Sequence, residues 1–187
     1  MTPVGRLIVV SGPSGVGKGT VVAEARRRRP DLLLSVSATT RSPRPGEVDG
    51  VAYFFTDRAR FNELVAEGQM LEHAEFAGNL YGTPRRPVMT ALAAGSTVIL
   101  EIDLAGARQV KSAMPESVTV FIAPPSMVEL AARLRGRGTE DAAGMDRRLR
   151  VAEAEIAASG EFDVVLINTE VNETATALLD LADPSRG

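Results

Sequence analysis

The segment VVSGPSGVGKGT, Val9 to Thr20, is where the reading of this chain begins. Leu7, Ile8, Val9 and Val10 form a short apolar run bounded by Gly5 and by Ser11-Gly12-Pro13. Its length and its glycine punctuation predict a buried strand rather than a helix. Gly12-Pro13-Ser14-Gly15-Val16-Gly17-Lys18 then fits the phosphate-binding loop: glycine, four residues, glycine, lysine. The glycines let several backbone N–H groups converge on one point with no Cβ in the way. A helix starting near Lys18 aims its positive end at the same point, and Lys18 adds a mobile full charge. The expected ligand is a polyphosphate. The usual pattern places Ser or Thr directly after the lysine as a Mg²⁺ ligand; here Gly19 stands there and Thr20 follows. The competing reading, a strand-to-helix turn that binds nothing, does not explain three glycines and a lysine in this context.

The chain has 187 residues, 44% of them apolar, enough for one compact domain with a real core. A net charge of −3 and an acidic isoelectric point leave no global basic footprint for nucleic acid, so no nucleic-acid partner is expected. There is no cysteine, which excludes disulfides and thiolate metal sites and fits a reducing compartment. No apolar run approaches the roughly 20 residues that span a bilayer, and Met1 to Arg6 lacks a signal pattern. The expectation is a cytoplasmic protein with no membrane partner. Composition is silent on oligomeric state.

From the loop onward, Thr20 to Arg29 is predicted as a helix with Val21, Val22 and Ala25 on its apolar face. Its terminal arginine block, Arg26 to Arg29, suits the negative end of the helix dipole and reads as a solvated helix end. Leu32 to Val36 reads as a strand leading into Ser37 to Glu47, a loop with two prolines and a glycine. Arg41 and Arg44 in that rigid loop suit an anion clamp, because guanidinium forks match phosphate oxygens; a solvent-exposed turn is the alternative. Gly50 to Thr56 reads as a strand, Asp57 to Gly68 as a helix, and Met70 to Phe76 as an alternating strand. Gly78 to Gly82 reads as a turn, with Thr83-Pro84 opening a helix to about Ala94. The lone histidine, His73, reads as a packed or partly exposed imidazole rather than a metal ligand.

Thr97 to Asp103 is the most apolar strand and ends on two acids, Glu101 and Asp103. A carboxylate at the C-terminal edge of a parallel strand lies where α/β sheets bind ligands, and beside a phosphate loop it suits Mg²⁺, directly or through water. Asp103-Leu104-Ala105-Gly106 also fits the D-x-x-G pattern of GTP switches, but no Asn-Lys-x-Asp motif follows. Ala107 to Met114 and Met127 to Arg135 read as helices around the strand Val118 to Ala123. Six arginines then fall within eighteen residues: Arg133, Arg135, Arg137, Arg147, Arg148 and Arg150, interrupted by glycines. This density reads as a lid over a polyphosphate; the alternative is a surface hairpin paired with Glu153 and Glu155. Arg147 to Ser159 is a helix, Val164 to Asn168 the last core strand, and Glu173 to Ala182 a terminal amphipathic helix.

Taken together, these stretches resemble the guanylate kinase family from Gly5 to Asn168. The markers are GPSGVGKGT (Gly12 to Thr20), SVSATTRSPRPGEVDGVAYFF (Ser35 to Phe55), LEHAEFAGNLYGT (Leu71 to Thr83), EIDLAGA (Glu101 to Ala107) and RLRGRGT (Arg133 to Thr139). The resemblance implies an α/β fold with a P-loop parallel core sheet flanked by helices. It implies a small strand-rich GMP-binding insertion (37–84) and an arginine-rich lid (about 125–146) on a core of 1–36, 85–124 and 147–187. The implied reaction transfers the γ-phosphoryl group of ATP to GMP, with Mg²⁺. By resemblance, Ser37 and Glu72 face the guanine, with Thr83 close to the base. Arg41, Arg44, Tyr53 and Tyr81 hold the GMP phosphate, and Glu101 and Asp103 match family acids at the nucleotide. Gly12 to Thr20 hold ATP, with Thr20 or Asp103 serving Mg²⁺. Arg133, Arg137 and Arg148 match lid positions on the ATP phosphates, and Asn168 a position near the adenine. The implied catalytic charges are Lys18, Arg41, Arg44, Arg137 and Arg148. Two rivals remain open at this stage: a non-catalytic guanylate-kinase-like interaction module, and a kinase for another nucleoside monophosphate.

Overall fold

The computed structural model describes residues 5–135 and 142–183. Five parallel strands form the central sheet. In spatial order they are β2 (Leu33–Leu34), β7 (Val98–Glu101), β1 (Leu7–Ser11), β8 (Val118–Ala123) and β9 (Val164–Ile167). β1 lies at the centre, and the strands that follow it fall on both of its sides. That reversal of order opens a crevice at the C-terminal strand ends, where the glycine loop emerges.

The apolar run that nucleates this sheet is buried on both faces, as a central parallel strand requires. Its side chains alternate with the period of two that a strand imposes. Ile8 and Val10 pack with Val21, Val22 and Ala25 of α1 (Lys18–Arg28), Leu130 of α5 (Met127–Arg135) and Leu178 of α7 (Val171–Leu181). Leu7 and Val9 pack on the other side with Val88 and Leu92 of α3 (Arg85–Ala93) and with Ala107 and Val110 of α4 (Leu104–Ala113). Each valine, leucine and isoleucine among them contributes about 1.5–3 kcal/mol of burial. The arginine block of α1 does more than meet the dipole. Arg28 donates from Nη1 to Thr176 Oγ1 and from Nη2 to Asn172 Oδ1, both at 2.8 Å, which ties α1 to α7.

A second, four-stranded sheet is built from residues 38–84, in the order β4 (Phe54–Phe55), β3 (Ala38–Thr39), β6 (Asn79–Pro84) and β5 (Met70–Phe76). β6 runs antiparallel to both β3 and β5. Helix α2 (Arg58–Ala66) starts where the Asp57 carboxylate accepts the Arg60 N–H at 2.7 Å, and it seats Phe61 against Ala38, Met70 and Leu80. The last cleft wall is α6 (Ala142–Ala157).

Five local expectations change, the first being that the helix read from Arg147 already begins at Ala142. The stretch read as a turn and helix start, Gly78 to Pro84, is strand β6, and helix α3 begins only at Arg85. The turn is Ala77-Gly78, both at positive φ; Gly82 pairs within the sheet, and it is glycine because a Cβ there would stand 2.7 Å from the Glu72 carbonyl oxygen. Gly50 to Thr56 joins the second sheet only at Phe54–Phe55, while Gly50 at φ 74° folds residues 48–53 into a turn in which Tyr53 bridges back to Asp49. The edge strand predicted over Leu32 to Val36 shrinks to β2, although Ser35 N–H still donates to Ile99 O at 2.9 Å. In β5 the alternation fails: Met70, Leu71 and Glu72 are all buried, because a bulge breaks the register between Met70 and Glu72.

Candidate active site

β1 ends at Ser11, and the chain turns through Gly12, Gly15 and Gly17 at φ 144°, 83° and 98°. A Cβ at Gly12 would stand 2.2 Å from the Ile122 carbonyl oxygen, so the loop hugs β8 as only glycine allows. Gly17 is the N-cap of α1, and Lys18 opens that helix. The Lys18 ammonium donates to the carbonyl oxygens of Gly12 and Pro13. Two residues brace the loop from behind at Val16. Asn168 Nδ2 donates to Val16 O at 2.8 Å and Arg133 Nη1 at 3.2 Å, while Arg133 Nη2 donates to Asn168 O at 3.1 Å. Thr174 Oγ1 donates to Asn168 Oδ1 at 3.1 Å, so both ends of this buried amide are engaged within the protein.

Acids meet the loop from three elements. Glu101 ends β7, Asp103 caps α4 by accepting the Gly106 N–H at 2.7 Å, and Glu155 projects from α6. Loss of water in the cleft pushes the Glu101 carboxyl above its ordinary value, while the Lys18 ammonium pulls it down. Glu155 is raised for the same first reason, lowered by Lys18 and raised again by Asp103. A Cβ at Gly19 would lie 3.4 Å from Glu101 Oε1, so the missing P-loop hydroxyl leaves a cradle beside a carboxylate. Hard oxygen donors in that place suit Mg²⁺. Thr20 is solvent-exposed on α1.

The second sheet supplies a buried carboxylate. Glu72 is 5% exposed, and its Oε1 accepts from Thr83 Oγ1 at 2.7 Å. Burial pushes the Glu72 carboxyl up to about 6; the Thr83 hydroxyl opposes this and the nearby Asp103 reinforces it. In the loop after β3, the Arg41 guanidinium stacks over the Tyr53 ring, 5.4 Å from its centroid, and bonds the Glu47 carboxylate at 2.9 Å. Glu47 also accepts the Arg44 N–H at 2.8 Å, while Arg44 itself is exposed. Tyr53 and Tyr81 meet edge to face, centroids 6.1 Å apart.

Loop, acids and second sheet face one cleft of about 1440 Å³. Gly12, Ser14 and Lys18 line it from the loop, Ser37, Tyr53, Glu72 and Tyr81 from the second sheet, Glu101 and Asp103 from the end of β7, and Arg148 from α6. Pro13, Gly15, Val16, Gly17 and Gly19 complete the loop, and Thr83 joins through Glu72. Arg133 and Asn168 stand behind the loop, and Arg137 lies outside the described residues. Sequence reading singled out Arg147 and Arg148 on α6 but missed Val151 and Glu155 as cleft residues. Arg147, Val151 and Glu155 line the cleft with Arg148, a spacing of three and four that marks one helix stripe. Phe76 and Ala77, at the β5–β6 hairpin, line the opposite rim.

The chain matches the family model described as guanylate kinase over residues 4–183. It is 62% identical over 181 residues to a guanylate kinase of Thermobifida fusca, covering 96% of this chain and 92% of that protein. A guanylate kinase of Streptomyces kasugaensis is 58% identical over 176 residues, covering 94% of this chain and 86% of that one. Among solved structures, guanylate kinase from Anaplasma phagocytophilum superposes with a TM-score of 0.79 at 34% identity, covering 99% of this chain and 88% of that chain. With a glycine loop, paired strand-end acids and a buried glutamate around one cleft, and with matches along nearly its whole length, the chain belongs to the guanylate kinase family.

Proposed function

We propose that this chain is an ATP:GMP phosphotransferase: it moves the γ-phosphoryl group of ATP to GMP, giving ADP and GDP, and serves GMP recycling in purine nucleotide metabolism. The observation that carries the reading is the buried Glu72 carboxylate in the same cleft as Lys18. Guanine presents a ring N–H and an exocyclic amine on one edge, and an ionised carboxylate accepts both. The Ser37 hydroxyl on the cleft wall suits the guanine oxygen. Adenine reverses that polarity and would strand both protein groups, at about 1–3 kcal/mol each. The base, not the sugar, is read by this pair, so dGMP is expected as a second acceptor.

A GMP phosphate oxygen forms the new bond to the γ-phosphorus while the bond from γ-phosphorus to the β,γ-bridging oxygen breaks, and that oxygen leaves with ADP. The GMP phosphate is already anionic, so no protein base is required. The chain's task is to bring two polyanions into line and stabilise their charge. Lys18 and the loop amides take the ATP phosphates, with Arg148 and the arginines near it approaching from α6. Arg41, Arg44, Tyr53 and Tyr81 take the GMP phosphate, and stacking on Tyr53 holds the Arg41 fork at a fixed angle. Arg133 and Asn168 act through the loop they brace. Glu101 and Asp103, with room left by Gly19, would hold Mg²⁺. When bound, that ion neutralises phosphate charge. Closure of the second sheet and α6 over the nucleotides keeps water from the γ-phosphorus. ATP and GMP as substrates suit a cytoplasmic enzyme.

A coupled ADP assay with GMP, AMP, CMP and UMP tests the reading. Turnover with GMP far above the other three is the expected result. No ADP release with GMP, or preference for another monophosphate, would overturn it; the former result would favour the interaction-module alternative.

A further inference from the structure

The D-x-x-G stretch at the start of α4 lacks the partner motif of a GTP switch, and the structure gives its glycine another task. Gly106 lies against the base-reading carboxylate. A Cβ there would stand 2.8 Å from Glu72 Oε2, 3.2 Å from the carboxyl carbon and 3.3 Å from Asp103 Oδ1. Three residues along the same helix, Gln109 grips the next residue of β5. Its Oε1 accepts the His73 N–H at 3.1 Å, and its Nε2 donates to the His73 carbonyl at 3.0 Å. β5 is an edge strand of the second sheet, so Gln109 satisfies the backbone pair that no neighbouring strand meets. Leu71, turned by the bulge, packs with Ala107 and Val110 of α4. Leu71, Glu72 and His73 are thus each fixed by α4, which belongs to the layer around the central sheet.

We propose that Gly106 and Gln109 are positioning residues for base selection: Gly106 leaves the space in which the Glu72 carboxylate stands, and Gln109 pins the strand that carries it. The proposal rests on the GMP reading above. Helix energetics argue for it. Glycine in a helix is less favourable than alanine by up to about 1 kcal/mol, so a residue needed only for folding would better be alanine. Gly106 has an ordinary helical backbone and no need of positive φ. What alanine would disturb is the end of the Glu72 side chain, which can swing away from its place without unfolding anything.

Gly106→Ala and Gln109→Ala should therefore be compared with the unmodified chain for melting temperature, for KM of GMP and of ATP, and for preference for GMP over inosine monophosphate, which lacks the exocyclic amine. Gly106→Ala should melt at or above the unmodified protein, raise KM for GMP by about tenfold, leave KM for ATP unchanged and reduce the preference for GMP over inosine monophosphate. Gln109→Ala should shift the same two GMP measures in the same direction by about threefold. Unchanged GMP measures in both variants would overturn the placement while leaving the kinase reading intact, as would parallel loss of GMP and ATP affinity with a lowered melting temperature. Absence of GMP turnover in the unmodified chain would overturn the kinase reading and this inference with it.

Discussion

The guanine-reading role proposed for Glu72 requires charge in a place that resists it. The Glu72 pKa is raised to about 6, chiefly by burial. The folded state therefore holds this proton more tightly than the unfolded chain, whose carboxyl titrates near 4.5. The group favours folding most below that value and loses the advantage as pH rises through about 6, a difference of about 2 kcal/mol. Guanine needs the ionised form. As pH falls below about 6, kcat/KM for GMP should drop, and more steeply than in Glu72→Gln, whose remaining decline reports protonation of the GMP phosphate itself. An equal decline in both would remove Glu72 from the base site. At this scale the residues that line the cleft were legible wherever they sit in a motif with its own chemistry: Lys18, Glu72 and Asp103 all stand in such stretches. Gln109 and Glu155 do not. Each occupies a helix position whose type and spacing suit any amphipathic helix, and only the packing of α4 on β5, or of α6 on the cleft, distinguishes it.

Elements repeat the lesson with a different physics. Most of the central sheet was readable because β1 and β8 are buried along their length and appear as largely apolar runs, while the edge strands β2 and β9 are half exposed. The second sheet was harder, because β3 and β4 are only two residues long each and β6 carries glycine and proline where backbones approach closely. Gly82 and Pro84 in β6 imitate a turn, while the true turn one residue after Phe76 contains an alanine. Ala77 has φ 49° and Gly78 φ 78°, the left-handed pair that a two-residue hairpin prefers to build from Asn or Gly. The Cβ of Ala77 costs about 1–2 kcal/mol in that conformation, and glycine would return about 0.4–1 kcal/mol of it as unfolded-chain entropy. Ala77→Gly should raise stability by about 0.5–1 kcal/mol in denaturant melts. A lower midpoint would mean that the left-handed turn is not strained.

On the scale of the whole molecule, the parallel sheet brings together what the chain keeps far apart. The loop after β1, the acids after β7 and the stripe on α6 come from the central layer, and the second sheet faces them with Glu72, Tyr53 and Tyr81. The account's central claim is that the phosphate chain of ATP and the phosphate of GMP meet head to head in this one cleft. The most direct test is calorimetric titration with adenosine and guanosine joined 5′ to 5′ through five phosphates, against ATP and GMP titrated singly. The joined compound should bind at least about a hundredfold tighter than either nucleotide, because one binding event then makes the other intramolecular. Lys18→Ala and Glu72→Ala should each remove most of that gain. Affinity no better than that of ATP alone would contradict a shared cleft with two facing phosphate sites.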